Sequence, residues 1–359
     1  MDYLNKKDLS RYHRQIILPQ VGESGQEKLQ NAKVLVIGAG GLGSPVLLYL
    51  TAAGIGTIGV IDFDKVDLSN LHRQILFNTN DLGKDKIEIA AERLSQLNPA
   101  IKIIPYNFKL TKDNVLNIFK DYDIIVDGSD NFPTRYMVSD ATVILNKPLV
   151  YGAVHQFIGQ ASVFNYKDGP TYRCLFPEQP KHGETLSCST AGVLGVLPGI
   201  IGSIQANETI KIILDIGDTL SGRLFQINSL DFSIDLIDVA PDPIYKNINK
   251  LGNYDFECNT SINNINCIDL HKELKHNSGI EIFDLRDLTD FGKFNIGGQN
   301  ISAHELLNNI DLIPKNKKVI IICECGEQSS AIVEYLQEKH KFNNIYNLEG
   351  GINEWLRTI

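Results

Sequence analysis

The sequence predicts an α/β protein in which a doubly wound, mostly parallel sheet is followed by a smaller α/β domain. Three observations predict it. Short apolar runs suited to buried strands alternate with stretches of helical period across residues 34–127. A glycine-rich turn joins the first strand to the first helix. A shorter round of the same alternation returns between residues 280 and 348. The domain boundaries read as 1–240, an Asn-rich linker at 241–261 with Pro241 and Pro243, and 262–359.

The elements follow in order. Residues 34–37 are a continuous apolar run, as a strand covered on both faces requires. Residues 43–53 carry an apolar helix pattern, and 57–62 form the next strand. Residues 87–94 have helical period, with strands at 101–105 and 124–127. Beyond residue 150 the pattern changes. Strands are expected at 150–153 and 159–164, a long loop at 167–190, a long helix at 196–214 and paired strands within 222–239. The second domain reads as strands at 280–285 and 319–323, a helix at 329–340 and a strand at 345–348.

Composition narrows the function classes. A chain of 359 residues can bury two cores, and 43% hydrophobic with 21% charged residues is ordinary for a soluble protein. A formal net charge of -9 argues against a general nucleic-acid binder, because phosphate affinity needs clustered Lys and Arg. Residues 1–14 are polar and carry no signal-peptide core. The longest apolar stretch, 191–206, is interrupted by glycines and Pro198, which suits a buried helix rather than a membrane span. Six cysteines do not make a disulfide framework, and a reducing cytoplasm is the expected location.

The turn Gly38-Ala39-Gly40-Gly41-Leu42-Gly43 fits G-x-G-x-x-G, and Asp62 ends the next strand where a ribose hydroxyl would be met. Glycines let the backbone approach a phosphate, and a helix N-terminus favours the anion. This alone predicts a nucleotide, with NAD the usual reading. The residues after Asp62 argue otherwise. Asp64, Asn70 and Arg73 follow closely, then Lys84, Lys86 and Ser129-Asp130-Asn131, while Arg11-Tyr12-His13-Arg14-Gln15 stands near the start. Hydride transfer needs no such gathering of cations. Nucleotidyl transfer does, because charge builds on the α-phosphate while pyrophosphate departs. Asp130 is a candidate Mg²⁺ ligand. Taken singly, each Arg or Lys reads as a solvated face residue, and Asp64 or Asp130 as a helix cap.

These segments resemble the ubiquitin-activating enzyme superfamily, in its branch of molybdopterin-synthase adenylyltransferase and the related thiamine-pathway enzyme. The resemblance runs from about residue 9 to residue 239. It implies an eight-stranded sheet and a homodimer. It also implies ATP and Mg²⁺, and a partner that is a ubiquitin-like sulfur-carrier protein with a C-terminal Gly-Gly. By position, Gly38, Gly40, Gly41, Gly43 and Asp64 would line the nucleotide and Asp62 would hold the ribose. Asn70, Arg73 and Lys86 would face the phosphates, Asp130 would serve the metal, and Arg14 would reach in from a second subunit. Relatives often carry two C-x-x-C pairs for zinc. Here Thr171 stands where the first cysteine would be, Cys174 remains, and 243–247 has none. One thiolate cannot close a tetrahedral site, so no structural zinc is expected. Cys188, within Leu186-Ser187-Cys188-Ser189-Thr190, resembles the loop in which relatives place a cysteine for thioester or acyl-disulfide chemistry. Its bland alternative is a buried structural thiol.

In the second domain an apolar strand ends at Cys323, and Glu324-Cys325-Gly326-Glu327-Gln328-Ser329 leads into a helix. Amides at a helix start stabilise a sulfur anion. The loop, Asp284-Leu285-Arg286 and the Gly350-Gly351…Trp355 end together resemble a rhodanese domain. Cys325 either relays sulfur or fills space. The whole chain then reads as a carrier adenylyltransferase coupled to sulfur transfer. The other classes are an NAD-linked oxidoreductase, or an adenylyltransferase with a non-catalytic docking module. Glu324 and Glu327 should repel a small anion. A protein persulfide, such as that of a cysteine desulfurase, is therefore expected to be a better sulfur donor than thiosulfate. High turnover in a thiosulfate:cyanide assay would contradict this.

Overall fold

The computed structural model describes residues 6–179, 192–254, 262–276 and 279–359. They fall into two compact units, one ending at residue 254 and the other starting at 262.

The first unit is built on an eight-stranded sheet of order β3-β2-β1-β4-β5-β6-β7-β8. Strands β1 (Lys33–Ile37), β2 (Thr57–Ile61), β3 (Lys102–Tyr106), β4 (Ile124–Asp127) and β5 (Leu149–His155) run parallel. Strands β6 (Ile158–Phe164), β7 (Arg223–Asn228) and β8 (Ser233–Asp238) extend it antiparallel. Strand β8 is the edge, and all six of its residues are exposed.

After the exposed Lys33, strand β1 is apolar from Val34 to Ile37 because both faces are covered. Val34 and Val36 pack with Val46, Leu47 and Leu50 of the helix Gly43–Ala53. Leu35 and Ile37 point the other way, towards Tyr136 and Val138 of the helix Phe132–Ile144. The register places Ile37 opposite both Ile61 and Asp127. The residues that follow β1, β2 and β4 therefore emerge together at one edge. This is where the strand order reverses, the usual ligand edge of such sheets. The long helix Val196–Leu214 reaches the same place, since Gln205 Nε2 donates to the Asp127 carbonyl at 2.7 Å.

Two sequence expectations change. The expected loop at 167–190 contains a helical turn, Tyr172–Leu175, before the described residues break off at 179. The expected linker does not begin free at 241. Asp242 caps a short helix, Pro243–Lys246, and Leu251 packs on the first core. Tyr254 is buried there, and its hydroxyl donates to Asp140 Oδ2 at 2.7 Å. Arg173 grips the same carboxylate through Nε at 2.6 Å and Nη2 at 2.8 Å. A buried carboxylate is tolerated only with such donors. Burial pushes the Tyr254 hydroxyl well above its ordinary range, and the Asp140 charge adds to that.

The second unit holds a five-stranded, all-parallel sheet of order β11-β10-β12-β13-β9. Its strands are β9 (Asn264–Ile265), β10 (Glu281–Asp284), β11 (Gln299–Asn300), β12 (Val319–Ile322) and β13 (Ile345–Leu348). Strand β12 is central and buried on both faces. Ile321 packs with Ile332, Val333 and Leu336, while Ile320 and Ile322 pack with Ile352 and Trp355. Strands β9 and β11 have two residues each, too few to show a periodicity. Among the described residues no helix is long and apolar enough to cross a membrane.

Tyr254→Phe removes one hydrogen bond to a buried carboxylate. It should destabilise the first unit by about 1–3 kcal/mol. Thermal melts should show the first unit's transition falling while the second unit's stays in place.

Candidate active site

The glycine turn is shaped by close approach. Gly38 has φ +86°, a left-handed conformation that favours glycine. A Cβ on Gly43 would collide with the Gly38 carbonyl oxygen. That contact lets the helix Gly43–Ala53 start directly against the strand end. Gly40 is different. A Cβ there would find only Gln74 Nε2, at 3.6 Å. The protein itself leaves this position open, as a loop that receives a phosphate requires.

Asp62 ties the turn to the segment after β2. Its Oδ2 accepts from the Ala39 amide at 2.8 Å and its Oδ1 from the Asp64 amide at 2.9 Å. Burial raises its pKa above the ordinary carboxylate value, and the Lys86 charge opposes that rise. Lys86 opens the helix Lys86–Leu97 and is itself buried. Its Nζ pairs with Asp64 Oδ2 at 3.0 Å, and its amide donates to the Asp64 carbonyl at 2.9 Å.

A 3₁₀ turn, Leu68–Asn70, is capped by Asp67, which accepts from the Ser69 amide at 2.8 Å and the Ser69 hydroxyl at 2.6 Å. These two bonds from Ser69, the hydroxyl's the stronger, hold the Asp67 pKa below the usual range. The turn presents Asn70 and carries the chain into Arg73, whose Cγ lies against Gly41. Arg73 Nη1 donates to the Ser69 carbonyl at 3.0 Å. On the other side of the turn, Gly128 N donates to the Ile37 carbonyl at 2.9 Å, bringing Ser129 and the exposed Asp130 alongside. Asp127 is buried beneath them and accepts from the Ser129 amide at 2.9 Å. Burial raises its pKa, and the nearby Arg135 charge opposes the rise.

The second unit has its own centre. Cys323 follows β12 and is 2% exposed. Its Sγ accepts from the Gly326 amide at 3.1 Å and the Ser329 amide at 3.4 Å, and the Ser329 hydroxyl oxygen lies 3.2 Å from it. Gly326 adopts φ +86° to turn the loop into the helix Glu327–His340. The Gly350-Gly351 turn closes underneath, with Ile352 N donating to the Cys323 carbonyl at 3.0 Å. Glu324 and Cys325 are exposed.

Residues 12–246 match the model of the ThiF family. The chain belongs to the ThiF family. Residues 268–358 match the rhodanese-like domain. This ThiF-family chain is 37% identical to the Mycobacterium tuberculosis "Probable adenylyltransferase/sulfurtransferase MoeZ", across 99% of this chain and 95% of that protein. It is 51% identical to the Thermus thermophilus "Sulfur carrier protein adenylyltransferase" over 66% of this chain and 90% of the relative. Among solved structures, E. coli MccB with ATP aligns with a TM-score of 0.59 at 24% identity. That alignment covers 69% of this chain and 76% of MccB, and it shows the fold alone.

In this ThiF-family chain Gly38, Gly40, Gly41, Gly43, Asp62, Asp64, Asn70, Arg73, Lys86 and Asp130 gather at one sheet edge. Arg14 stands apart, exposed on the short helix His13–Ile16. Cys188 lies outside the described residues. Cys174 Sγ accepts from Thr171 N at 3.3 Å and from Asp242 N at 3.2 Å. Among the described residues no three His, Cys, Asp or Glu side chains converge to hold a metal ion. Sequence reasoning passed over Gln74, Asp127, Arg135 and the role of Ser329. Asp127 carried a signal, a carboxylate ending an otherwise apolar strand.

Gly43→Ala should destabilise the first unit by at least about 3 kcal/mol and abolish ATP binding, since neither backbone can yield. Gly40→Ala should weaken ATP binding and leave the melting temperature within a degree or so. Calorimetric titration and thermal melts separate the two effects.

Proposed function

We propose that this chain uses ATP to adenylate the C-terminal glycine of a ubiquitin-like sulfur-carrier protein ending in Gly-Gly, releasing pyrophosphate. The rhodanese-like unit then supplies sulfur to the activated carboxylate. The observation that carries this reading is the match over 99% of the chain to a relative named for both activities.

The chemistry fits the residues. The carrier carboxylate oxygen attacks the α-phosphorus, and the bond to the pyrophosphate oxygen breaks. Lys86, Arg73 and Asn70 face the phosphates, where fixed donors stabilise the charge that develops. Asp62 accepts from the ribose while it holds the loop. Its carboxylate has about four lone-pair sites, and two are used by backbone amides. Arg14 completes the site from the second subunit of a homodimer. Asp130, exposed at the loop edge, is the hard oxygen ligand that Mg²⁺ prefers, and the ion would neutralise the departing pyrophosphate.

Sulfur enters at Cys323. The Cys323 thiolate attacks the outer sulfur of a protein persulfide, such as that of a cysteine desulfurase. The donor's S–S bond breaks and the donor leaves as a thiolate. The Cys323 persulfide then attacks the acyl carbon of the adenylate, AMP departs, and a second thiolate attacks Cys323 Sγ, so that the carrier leaves as a thiocarboxylate while a disulfide forms at Cys323. Cys188 is the thiol proposed for any carrier thioester. The favoured carrier is the small subunit of molybdopterin synthase, the alternative is the thiamine-pathway carrier, and the compartment is the cytoplasm.

The test is ATP–pyrophosphate exchange with each carrier. Exchange should require a carrier ending in Gly-Gly and should fall at least about 100-fold in Lys86→Met. The Asp64 left behind is 54% exposed, and the buried Asp62 keeps its two backbone amide donors, so a thermal melt of the variant should still show a folded first unit. Exchange that ignores the carrier, or tight NADH binding without it, would overturn the reading. The carrier giving the higher kcat/KM identifies the pathway.

A further inference from the structure

Behind the Cys323 sulfur lies a chain of hydrogen bonds leading to the edge of the small sheet. Ser329 Oγ is 3.2 Å from Cys323 Sγ and 2.7 Å from Asn347 Oδ1. Asn347 Nδ2 donates in turn to Asn264 Oδ1 at 3.0 Å. Ser329 is fully buried and Asn347 nearly so, while Asn264 is exposed on β9. The three side chains come from three elements: the loop helix Glu327–His340, strand β13 and edge strand β9.

Ser329 has one hydroxyl proton and three acceptors in reach: the sulfur, Asn347 Oδ1, and the Gly326 carbonyl at 3.3 Å. It can serve only one fully at a time. As arranged, Asn347 offers its oxygen and holds the closest claim. A half-turn of both amides reverses every link. Asn264 then donates to Asn347 Oδ1, and Asn347 Nδ2 donates to Ser329 Oγ. The Ser329 proton is then shared only between the sulfur and the more distant Gly326 carbonyl, and an anionic sulfur is the stronger acceptor of the two.

The geometry points to a donor-direction switch that matches the charge on the sulfur. With a neutral thiol at Cys323, Ser329 donates to Asn347. With a thiolate or a persulfide anion, the amides turn and Ser329 donates to sulfur. Ser329 is the group that touches the reacting atom, and Asn347 positions its proton. This rests on the reading of Cys323 as a sulfur acceptor. No atom beyond the donor's sulfur is needed. The bond from Cys323 Sγ to the donor's outer sulfur forms as the donor's S–S bond breaks, and the electron pair leaves on the donor thiolate.

The test uses the full chain and glutathione persulfide as the probe. Gain of one sulfur on the Cys323 peptide is followed by mass spectrometry near pH 8, where a carboxylate at position 347 is ionised. Ser329→Ala should slow loading roughly tenfold or more, the usual effect of losing one hydrogen bond to a charged group. Asn347→Asp should slow it as well, because a carboxylate can only accept and keeps the hydroxyl proton. Asn347→Leu removes the competing acceptor and should speed loading by roughly two- to threefold, because the hydroxyl proton is then free to support negative charge on the attacking sulfur. Opposite signs at one position are the signature, since a purely structural role would make leucine the more damaging change. Loading by Ser329→Ala at the wild-type rate, or slowing by Asn347→Leu, overturns the switch alone. A wild-type chain that takes up no sulfur overturns the reading of Cys323 and the switch with it.

Discussion

The nucleotide end of the molecule depends on one carboxylate. Asp62 bonds the Ala39 amide with one oxygen and the Asp64 amide with the other. The first bond fixes the glycine turn after β1, and the second starts the segment that carries Asn70 and Arg73. Lys86, held on Asp64, lies close enough to offset the burial of Asp62. A group read from spacing as a ribose ligand is thus also the joint between two loops. Substitution at Asp62 would disturb positions that never touch the ribose.

Much of this was legible in the sequence. The buried strands showed as apolar runs, because a parallel sheet covered on both faces hides residues 34–37 of β1 and 124–127 of β4. The helices Gly43–Ala53 and Val196–Leu214 have the expected bounds, the first beginning at the end of the glycine turn. What escaped was contact at a distance. Tyr254 carries no local signal that it belongs to the first core. Only its bond to Asp140, 114 residues away, places it there. The donors to Cys323 sulfur were half legible. The loop's amides followed from its place at a helix start, whereas the Ser329 hydroxyl depends on its position in the folded loop. The two acidic residues near the cysteine drew attention to repulsion, yet Glu324 points to solvent while three donors face the sulfur.

Cys174 joins two stretches of chain that lie far apart in sequence. The turn at Thr171–Cys174 and the residue Asp242 that caps the helix Pro243–Lys246 meet here. They meet through sulfur and backbone amides, with Asp242 N and Thr171 N both donating to Cys174 Sγ. Neutral bonds of this kind are weak singly, each contributing about 1 kcal/mol. The join is reinforced by the Arg173–Asp140–Tyr254 cluster next to it.

Strand β8 has a consequence for how the molecule behaves in company. It pairs with β7 along one side and closes the sheet on the other, with Ile234, Leu236 and Ile237 exposed. A free edge with apolar side chains is a template for another chain's strand. Asp231, Asp235 and Asp238 punctuate that stretch with like charges. Two copies approaching edge to edge would bring these carboxylates together, so electrostatic repulsion guards the rim against fibrous growth. Acid, which neutralises carboxylates, and salt, which screens them, would both weaken that guard.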